Sequence, residues 1–346
     1  MSEPDDELPL LLHSLTAVAK QITAAPEIVQ PGAIVEIGSE TGGMTELLVK
    51  WAREHEVTLI CVDPEPAQHV RRLEVEGAPV HVVSEFSPEG LAGIDGEAWI
   101  IDGDHNHATV TAELRHVFGG AGTPRLAVLH DVAWPWARRD LYYAPERIAA
   151  AHRRPLTSRG GVVPGVPGTV ASGFGGRGRF AWAEQEGGER NGVLTAVEDF
   201  MAEVGGLRLD VIPCIFGVGF LYPRDAAWAD ELAAYLAPWA GADLLDALER
   251  NRLMLYIRVI ELQDAAERER AQRERVLAML HDQLGAAEAE LLTRHSQLEQ
   301  ARAGAAEAEA EARAHEMQRR YELIVRSASW RLIRPLRRLA SRLRQH

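Results

Sequence analysis

The chain has 346 residues, of which 46% are hydrophobic, so it can bury the core of one large α/β domain and carry further segments. A net charge of -14 argues against general binding to nucleic acid, and no specific nucleic-acid partner is expected. The two cysteines, Cys61 and Cys214, lie in predicted strands, which favours buried thiols over a disulfide or a metal site. The acidic N-terminus lacks the positive charge of a signal peptide, and no apolar run has membrane-spanning length. We therefore expect a cytoplasmic protein.

The first segment has helical spacing. Apolar residues recur from Leu8 to Ile22, so residues 1–30 are expected to hold an N-terminal helix that covers an edge of the sheet. Pro26 and Pro31 are expected to mark the approach to the first strand. The main domain is then predicted to cover residues 31–223.

Residues 32–63 predict a strand, a glycine turn, a helix and a second strand. The apolar run 33–35 ends on Glu36 and Gly38, and the second apolar run ends on Asp63. Such a βαβ unit is typical of nucleotide binding, because its glycines let the backbone approach a ligand closely. The acid at the end of the second strand can accept hydrogen bonds from ribose hydroxyls.

The turn has the spacing Glu36-x-Gly38-x-x-x-Gly42 instead of the GxGxxG of dinucleotide enzymes. An acid before the first glycine would repel a diphosphate and suits a cationic ligand. The pattern resembles motif I of class I S-adenosylmethionine (SAM) methyltransferases. This resemblance implies that Glu36, Gly38, Ser39 and Gly42 line the methionine part of SAM and that Asp63 binds the ribose.

Further strands alternate with helices along the chain. Apolar runs at 79–83, 98–101 and 126–129 predict strands three to five, and this rhythm predicts a doubly wound parallel sheet. The runs 207–212 and 215–221 predict an antiparallel pair that closes the sheet. Class I methyltransferases have a closing hairpin of this kind.

Polar side chains follow strands four and five. Asp102, Asp104 and His105 come after strand four, and His130 and Asp131 come after strand five. Adjacent strands lie about 5 Å apart, so these groups can converge on one ion or one proton. Oxygen ligands favour Mg²⁺, and imidazole also admits Mn²⁺, Fe²⁺ or Zn²⁺. In the metal-free alternative, His105 or His130 is the general base.

The same arrangement is similar to that of metal-dependent catechol-type O-methyltransferases, which have an acid after strand four and an acidic or amide pair after strand five. The resemblance implies Asp102, His130 and Asp131 as ligands of Mg²⁺ or Mn²⁺, although His130 stands where that family usually has a carboxylate. Asp102 is also predicted to contact SAM. The predicted catalytic residues are His105, His130 and Asp131.

Residues 134–188 show no sustained periodicity. They follow strand five, at the edge where open α/β sheets bind ligands, so we interpret them as a substrate-binding insertion. Arg138, Arg139, Tyr142 and Tyr143 are the candidate acceptor-binding residues in this segment.

Motifs beginning at Asp102 (DGDH), Leu129 (LHDV), Trp134 (WPW) and Arg190 (RNG) together resemble the bacterial methyltransferase family 24 group. Members often accompany gene sets for surface polysaccharides or natural products. The resemblance implies a SAM-dependent O-methyltransferase that acts on a hydroxyl of a sugar, a glycoconjugate or a polysaccharide or natural-product intermediate. One alternative is an NAD-dependent sugar oxidoreductase, against which the missing GxGxxG counts. The other is a non-catalytic coiled-coil scaffold with a degenerate methyltransferase domain.

The C-terminal third is expected to be helical. A helical region is predicted at 224–263 and a coiled coil at 264–326, where leucine and alanine alternate at steps of three and four residues from Leu277 to Ala312. This heptad predicts a homo-oligomer. The last segment, 327–346, has an apolar stripe among arginines without acids, which predicts contact with an anionic membrane at its inner face or with a partner.

Overall fold

The computed structural model describes residues 13–120, 122–331 and 333. Its first elements are a 3₁₀ turn at Leu15–Val18 and helix α1 at Ala19–Val29. The helix starts later than predicted and continues through Pro26, contrary to the expectation that Pro26 marks the approach to the first strand. Residues 1–12 of the predicted N-terminal helix lie outside the described residues.

Strands and helices alternate in the part of the chain that forms the main sheet. These elements are β1 (Ala33–Ile37), α2 (Gly43–His55), β2 (Thr58–Val62), α3 (Gln68–Val75), β3 (Val80–Val83), β4 (Ala98–Ile101), α4 (His107–Phe118) and β5 (Leu126–Leu129). Each strand except β3 ends on two buried residues, and β4 and β5 are buried throughout. Strands buried on both faces are typical of parallel sheets covered by helices.

Shorter strands follow β5, and helices end the chain. These elements are β6 (Leu141–Tyr142), β7 (Leu156–Thr157), β8 (Gly161–Val163), β9 (Val166–Val170), β10 (Ala181–Ala183), α5 (Val193–Val204), β11 (Leu207–Ile212), β12 (Val218–Pro223), α6 (Ala229–Leu236) and α7 (Asp243–Arg326).

The main sheet has seven strands in the order β11-β12-β5-β4-β1-β2-β3. Strands β1 to β5 pair in parallel, whereas β12 is antiparallel to both β5 and β11. The structure therefore confirms a Rossmann-like, doubly wound sheet that is closed by an antiparallel hairpin. The strand order reverses between β1 and β4, and ligands of such sheets bind outside the carboxyl ends of the strands at this point.

Alternate residues of each strand contribute to two separate cores. Ile34 and Ile100 point to the face that α1, α2 and α6 cover. Val35 and Trp99 point to the opposite face, which α4 and α5 cover. This two-sided burial holds the carboxyl ends of β1, β4 and β5 at a fixed edge of the sheet.

The segment 134–188 has regular structure, contrary to the expectation from its lack of periodicity. Strands β6, β10 and β7 form a three-stranded sheet, and β8 pairs with β9. A third core made of Trp136, Leu141, Val162 and Trp182 lies within the segment. These strands have only two to five residues, too few to show a period in the sequence.

Helix α7 contains 84 residues, and the chain divides into two compact units at Ala265 and Ala266. Glu249, Leu253 and Ile257, all on the first turns of α7, are buried in the first unit. Among the described residues no helix is both long and apolar enough to span a membrane. The predicted basic tail lies outside the described residues at 332 and from 334 onward, so its membrane contact stays a prediction.

A truncation tests whether the start of α7 belongs to the first unit. We expect a chain that ends at Ala265 to unfold with the same urea midpoint as the first unit of the full chain. A chain that ends near Pro238 loses the buried Leu253 and Ile257, which should lower the free energy of unfolding by about 3–6 kcal/mol. Equal midpoints for the two truncated chains would contradict this assignment.

Candidate active site

The turn after β1 carries two glycines that the close packing of the backbone requires. Gly38 has φ +83°, and a Cβ there would lie 2.2 Å from the carbonyl oxygen of Asp102. Gly42 has φ +78°, and a Cβ there would lie 2.4 Å from Nε2 of His69. The glycines thus allow the turn to lie directly against the end of β4 on one side and against α3 on the other.

The carboxylate of Asp63, at the end of β2, holds this turn in place. One oxygen, Oδ2, accepts hydrogen bonds from the backbone N–H of Ser39 (2.7 Å), the hydroxyl of Ser39 (2.8 Å) and the backbone N–H of Glu40 (3.3 Å). The other oxygen accepts a bond from the N–H of Glu65 at 2.8 Å. Asp63 therefore shapes the turn, and its bond to a ribose remains a prediction.

A cavity opens between the turn and the end of β4. Its lining includes Glu36, Gly38, Ser39, Met44 and Asp102. Four of the six predicted cofactor-binding residues thus meet at one cavity. The other two, Gly42 and Asp63, shape the turn that forms its wall.

Glu36 is the chemically unusual group of this cavity. It is only 1% exposed, and its Oε2 has no hydrogen-bond partner among the described residues. Burial raises the pKa of Glu36 to about 8, and the charges of Asp102 and Asp63 add to the rise. A buried carboxylate oxygen without a partner fits a cationic ligand, since such a ligand would supply the missing hydrogen bond and charge. These residues therefore fit the ammonium and sulfonium groups of SAM.

Three side chains converge at the carboxyl ends of β4 and β5. Asp102, His105 and Asp131 each offer one ligand atom, and these atoms lie within 4.8 Å of one another. Nδ1 of His105 is 3.2 Å from Oδ2 of Asp131, and Nε2 of His105 is 3.9 Å from Oδ1 of Asp102. The second oxygen of Asp131 is buried without a hydrogen-bond partner among the described residues. This donor set fits a divalent cation, and it equally fits a histidine base oriented by an aspartate.

His130 has a different role from the one predicted. Its Nε2 lies 2.7 Å from the carbonyl oxygen of Ile215, and its Nδ1 lies 2.8 Å from Oδ1 of Asp102. Both neighbours only accept hydrogen bonds, so both ring nitrogens must carry protons. Burial lowers the pKa of His130, but the charges of Asp102 and Asp131 and the two hydrogen bonds outweigh it and raise the pKa to about 10.

An imidazolium has no free lone pair, so His130 cannot act as a metal ligand or as a general base in this arrangement. The three side chains that the structure brings together as possible ligands are instead Asp102, His105 and Asp131, and a metal at either set stays a prediction. The sequence could not decide between the two histidines, because the bond that engages His130 comes from a carbonyl 85 residues away.

The carbonyl of Ile215 lies in a strained turn between β11 and β12. Ile215 and Phe216 both have positive φ, at 51° and 66°, which is uncommon for residues other than glycine. The N–H of Phe216 donates to Oε1 of Glu249 on α7 at 3.1 Å, and Glu249 in turn pairs with Arg252. Glu249 was not predicted as a functional residue, and no motif in the sequence marks it.

Two of the predicted acceptor-binding residues are structural. Arg139 is 1% exposed and donates to the carbonyl oxygens of Ala183 (2.7 Å) and Pro167 (2.6 Å). Tyr142 is fully buried, and its hydroxyl donates to Oδ2 of Asp140 at 2.7 Å. Both side chains are thus engaged within the insertion, and their acceptor contacts stay a prediction.

The other two candidates differ in position. Arg138 pairs with Glu198 on α5, with Nη2 and Oε1 2.7 Å apart. Tyr143 is 54% exposed, and its ring centroid lies 6.2 Å from that of His105. Its backbone N–H donates to Oδ1 of Asp104 at 3.3 Å. Tyr143 is therefore the one of the four that the structure places beside the site.

No family model matches the chain, and no curated protein sequence matches it either. The resemblance to methyltransferase family 24 is therefore not confirmed. Solved structures with similar architecture include SAH-bound methyltransferase PaMTH1 of Podospora anserina, which is 12% identical over 62% of this chain and 81% of its own length, with a TM-score of 0.39.

Two further similar structures come from bacteria. A putative O-methyltransferase from Klebsiella pneumoniae is 13% identical over 64% of this chain and 83% of its own, with a TM-score of 0.36. TomG of Streptomyces achromogenes, an O-methyltransferase of tomaymycin synthesis solved in complex with SAM, is 14% identical over 61% and 80%, with a TM-score of 0.35. At such low scores the fold assignment rests on the strand order, and any function rests on the site.

The buried carboxyls predict how stability depends on pH. Burial raises the pKa of both Glu36 and Glu113 from 4.5 to about 8 in the folded chain. Between these values the folded state holds protons that the unfolded state has lost, so the free energy of unfolding should fall as pH rises from 4.5 to 8. The slope contributed by each group is about 1.4 kcal/mol per pH unit at most.

Urea unfolding measured from pH 5 to 9 checks this prediction. Glu36→Gln should make the decline with pH shallower, because one of the two groups no longer ionises. Glu46→Gln, at an exposed position on α2, is the matched control and should leave the slope unchanged. An equal slope in Glu36→Gln and in the unmodified chain would show that Glu36 does not hold its proton in the folded state.

Proposed function

We propose that the first unit is a SAM-dependent O-methyltransferase that acts on a hydroxyl of a sugar, a glycoconjugate or a polysaccharide or natural-product intermediate. The observation that carries the proposal is the buried carboxyl of Glu36, whose Oε2 has no hydrogen-bond partner among the described residues, in a cavity that Asp102 also lines. A site for a cation thus lies directly beside a group of side chains that can accept a proton. The acceptor class follows the motif resemblance described above.

In this proposal one side of the cavity binds SAM, and the other side binds the acceptor. Bound SAM would supply a methyl group on a sulfonium. Glu36 would accept hydrogen bonds from the ammonium group, and the absence of a side chain at Gly38 keeps the turn against the end of β4 beside the cavity. The bonds of Asp63 to the turn keep both residues in place before the ligand arrives.

On the acceptor side, His105 is placed to take a proton from the hydroxyl. Oδ2 of Asp131 lies 3.2 Å from Nδ1 of His105, so its charge favours a proton at Nδ1 and leaves Nε2 as the proton acceptor. The half-exposed ring of Tyr143 offers an apolar face to an acceptor beside His105. In the metal-assisted form of the proposal, Asp102, His105 and Asp131 would hold Mg²⁺ or Mn²⁺, which lowers the pKa of an oxygen bound to it.

Calorimetric titration with SAM tests the cofactor. We expect binding, and we expect Glu36→Gln to weaken it by about 1–3 kcal/mol through the lost charge-assisted bond, while Glu46→Gln binds as the unmodified chain does. Titration with a nicotinamide cofactor, followed by its fluorescence, should show no binding. Binding of the nicotinamide cofactor and not of SAM would favour the oxidoreductase. A chain that binds neither would favour a scaffold without catalysis.

Turnover of SAM against a panel of sugar nucleotides and glycans tests the acceptor side. Asp131→Asn should lose activity and still bind SAM, because Asp131 contacts His105 and not the cavity.

A chelator separates the two forms of the proposal. If a cation assists, chelator should abolish activity and Mg²⁺ or Mn²⁺ should restore it. If His105 acts alone, chelator should have no effect.

A further inference from the structure

The second unit presents a row of uncovered leucines on α7. Leu277, Leu280, Leu284, Leu291 and Leu298 are 65%, 50%, 59%, 66% and 49% exposed. They recur at the steps of three and four residues that define the core positions of a coiled coil. Side chains of this size on an otherwise charged helix require a covering partner.

The core positions differ between the two halves of this row. Leucines occupy most core positions from 277 to 298, and alanines occupy those from 301 to 312. The exceptions in the first half are Ala287 and Arg294. One half of the heptad row therefore has large core side chains, and the other half has small ones.

A parallel pair of two copies would bury little apolar area in half of its core and would bring two like charges together there. Each core residue would face itself, so the alanines at 301, 305, 308 and 312 would form consecutive layers that bury little area. Arg294 would lie opposite the same arginine of the second copy, which brings two positive charges together in the core.

In an antiparallel pair centred between Leu292 and Thr293, large core side chains face small ones. Every core alanine between 287 and 308 then faces a leucine, and Arg294 faces a leucine instead of itself. The facing residues are Leu277 with Ala308, Leu280 with Ala305, Leu284 with Ala301, Ala287 with Leu298, and Leu291 with Arg294. Alternating large and small side chains across facing positions is how helices fill a core without voids.

Neighbouring registers lose this match. A shift by one heptad in one direction places Leu280 opposite Leu298, and a shift in the other direction places Ala287 opposite Ala305. The size pattern therefore favours a single register as well as a single orientation.

The charges outside the core favour the same alignment. Glu307, Glu309 and Glu311 form an acidic run, which would lie beside the same run in a parallel pair. In the antiparallel alignment the run lies level with residues 274–278 of the second copy, and its end at Glu311 lies beside Arg273 and Arg275.

We propose that α7 pairs with α7 of a second copy of this chain as an antiparallel two-stranded coiled coil, centred between Leu292 and Thr293. This pairing involves residues of the second unit alone, so it stands independently of the function proposed for the first unit.

Spin labels at two outward positions of the full-length chain test the orientation. Ser296→Cys and Ala310→Cys are made separately in a background where Cys61 and Cys214 are replaced by alanine, with circular dichroism as the check on folding. Antiparallel pairing predicts a short distance between labels at 296 and a distance of about 50 Å between labels at 310, from the rise of 1.5 Å per residue. Short distances at both positions would establish a parallel pair and overturn the proposal. No coupling at either position, with a monomeric mass by light scattering, would overturn it in favour of a different partner.

Discussion

The buried imidazolium of His130 connects the three parts of the chain that form the candidate active site. It donates to Asp102 after β4, it belongs to the end of β5, and it donates to Ile215 in the turn between β11 and β12. Removing a buried charged donor would leave a carboxylate and a carbonyl without their partner, at a cost larger than the bond itself contributes. The positions of Asp102 and Asp131 relative to each other therefore depend on a side chain that takes no direct part in the proposed chemistry.

Asp102 joins this cluster to the cofactor cavity. Its carbonyl oxygen lies where a Cβ on Gly38 would be, its side chain accepts from His130, and the residue lines the cavity that contains Glu36. One residue thus contacts the glycine turn and the imidazolium and lines the cavity where the proposed cation would bind. A proton-accepting group and a cation-binding group placed this closely suit the transfer of a group from one bound molecule to another.

The sequence predicted the parts of the site that depend on local pattern. The bounds of β4, β5 and β11 agree with the structure, because each is a short apolar run between polar or glycine residues. The acids at the strand ends and the glycines of the turn followed from those bounds. The sequence could not show which histidine is engaged by Ile215, nor that Arg139 is buried, because those contacts come from residues distant along the chain. The short strands of the insertion were not predicted for a different reason, because a strand of two residues such as β6 cannot show a period.

The left-handed turn at Ile215 and Phe216 combines a strained backbone with buried side chains. Each such residue costs about 1–3 kcal/mol unless the surroundings hold it, and here the carboxylate of Glu249 provides that support from α7. Glycine would relax the backbone, but Phe216 is only 2% exposed and its ring centroid lies 5.3 Å from that of Phe174, so the loss of this side chain would cost more than the strain. The side chains that the turn buries therefore retain the strained backbone, and with it the carbonyl that fixes His130.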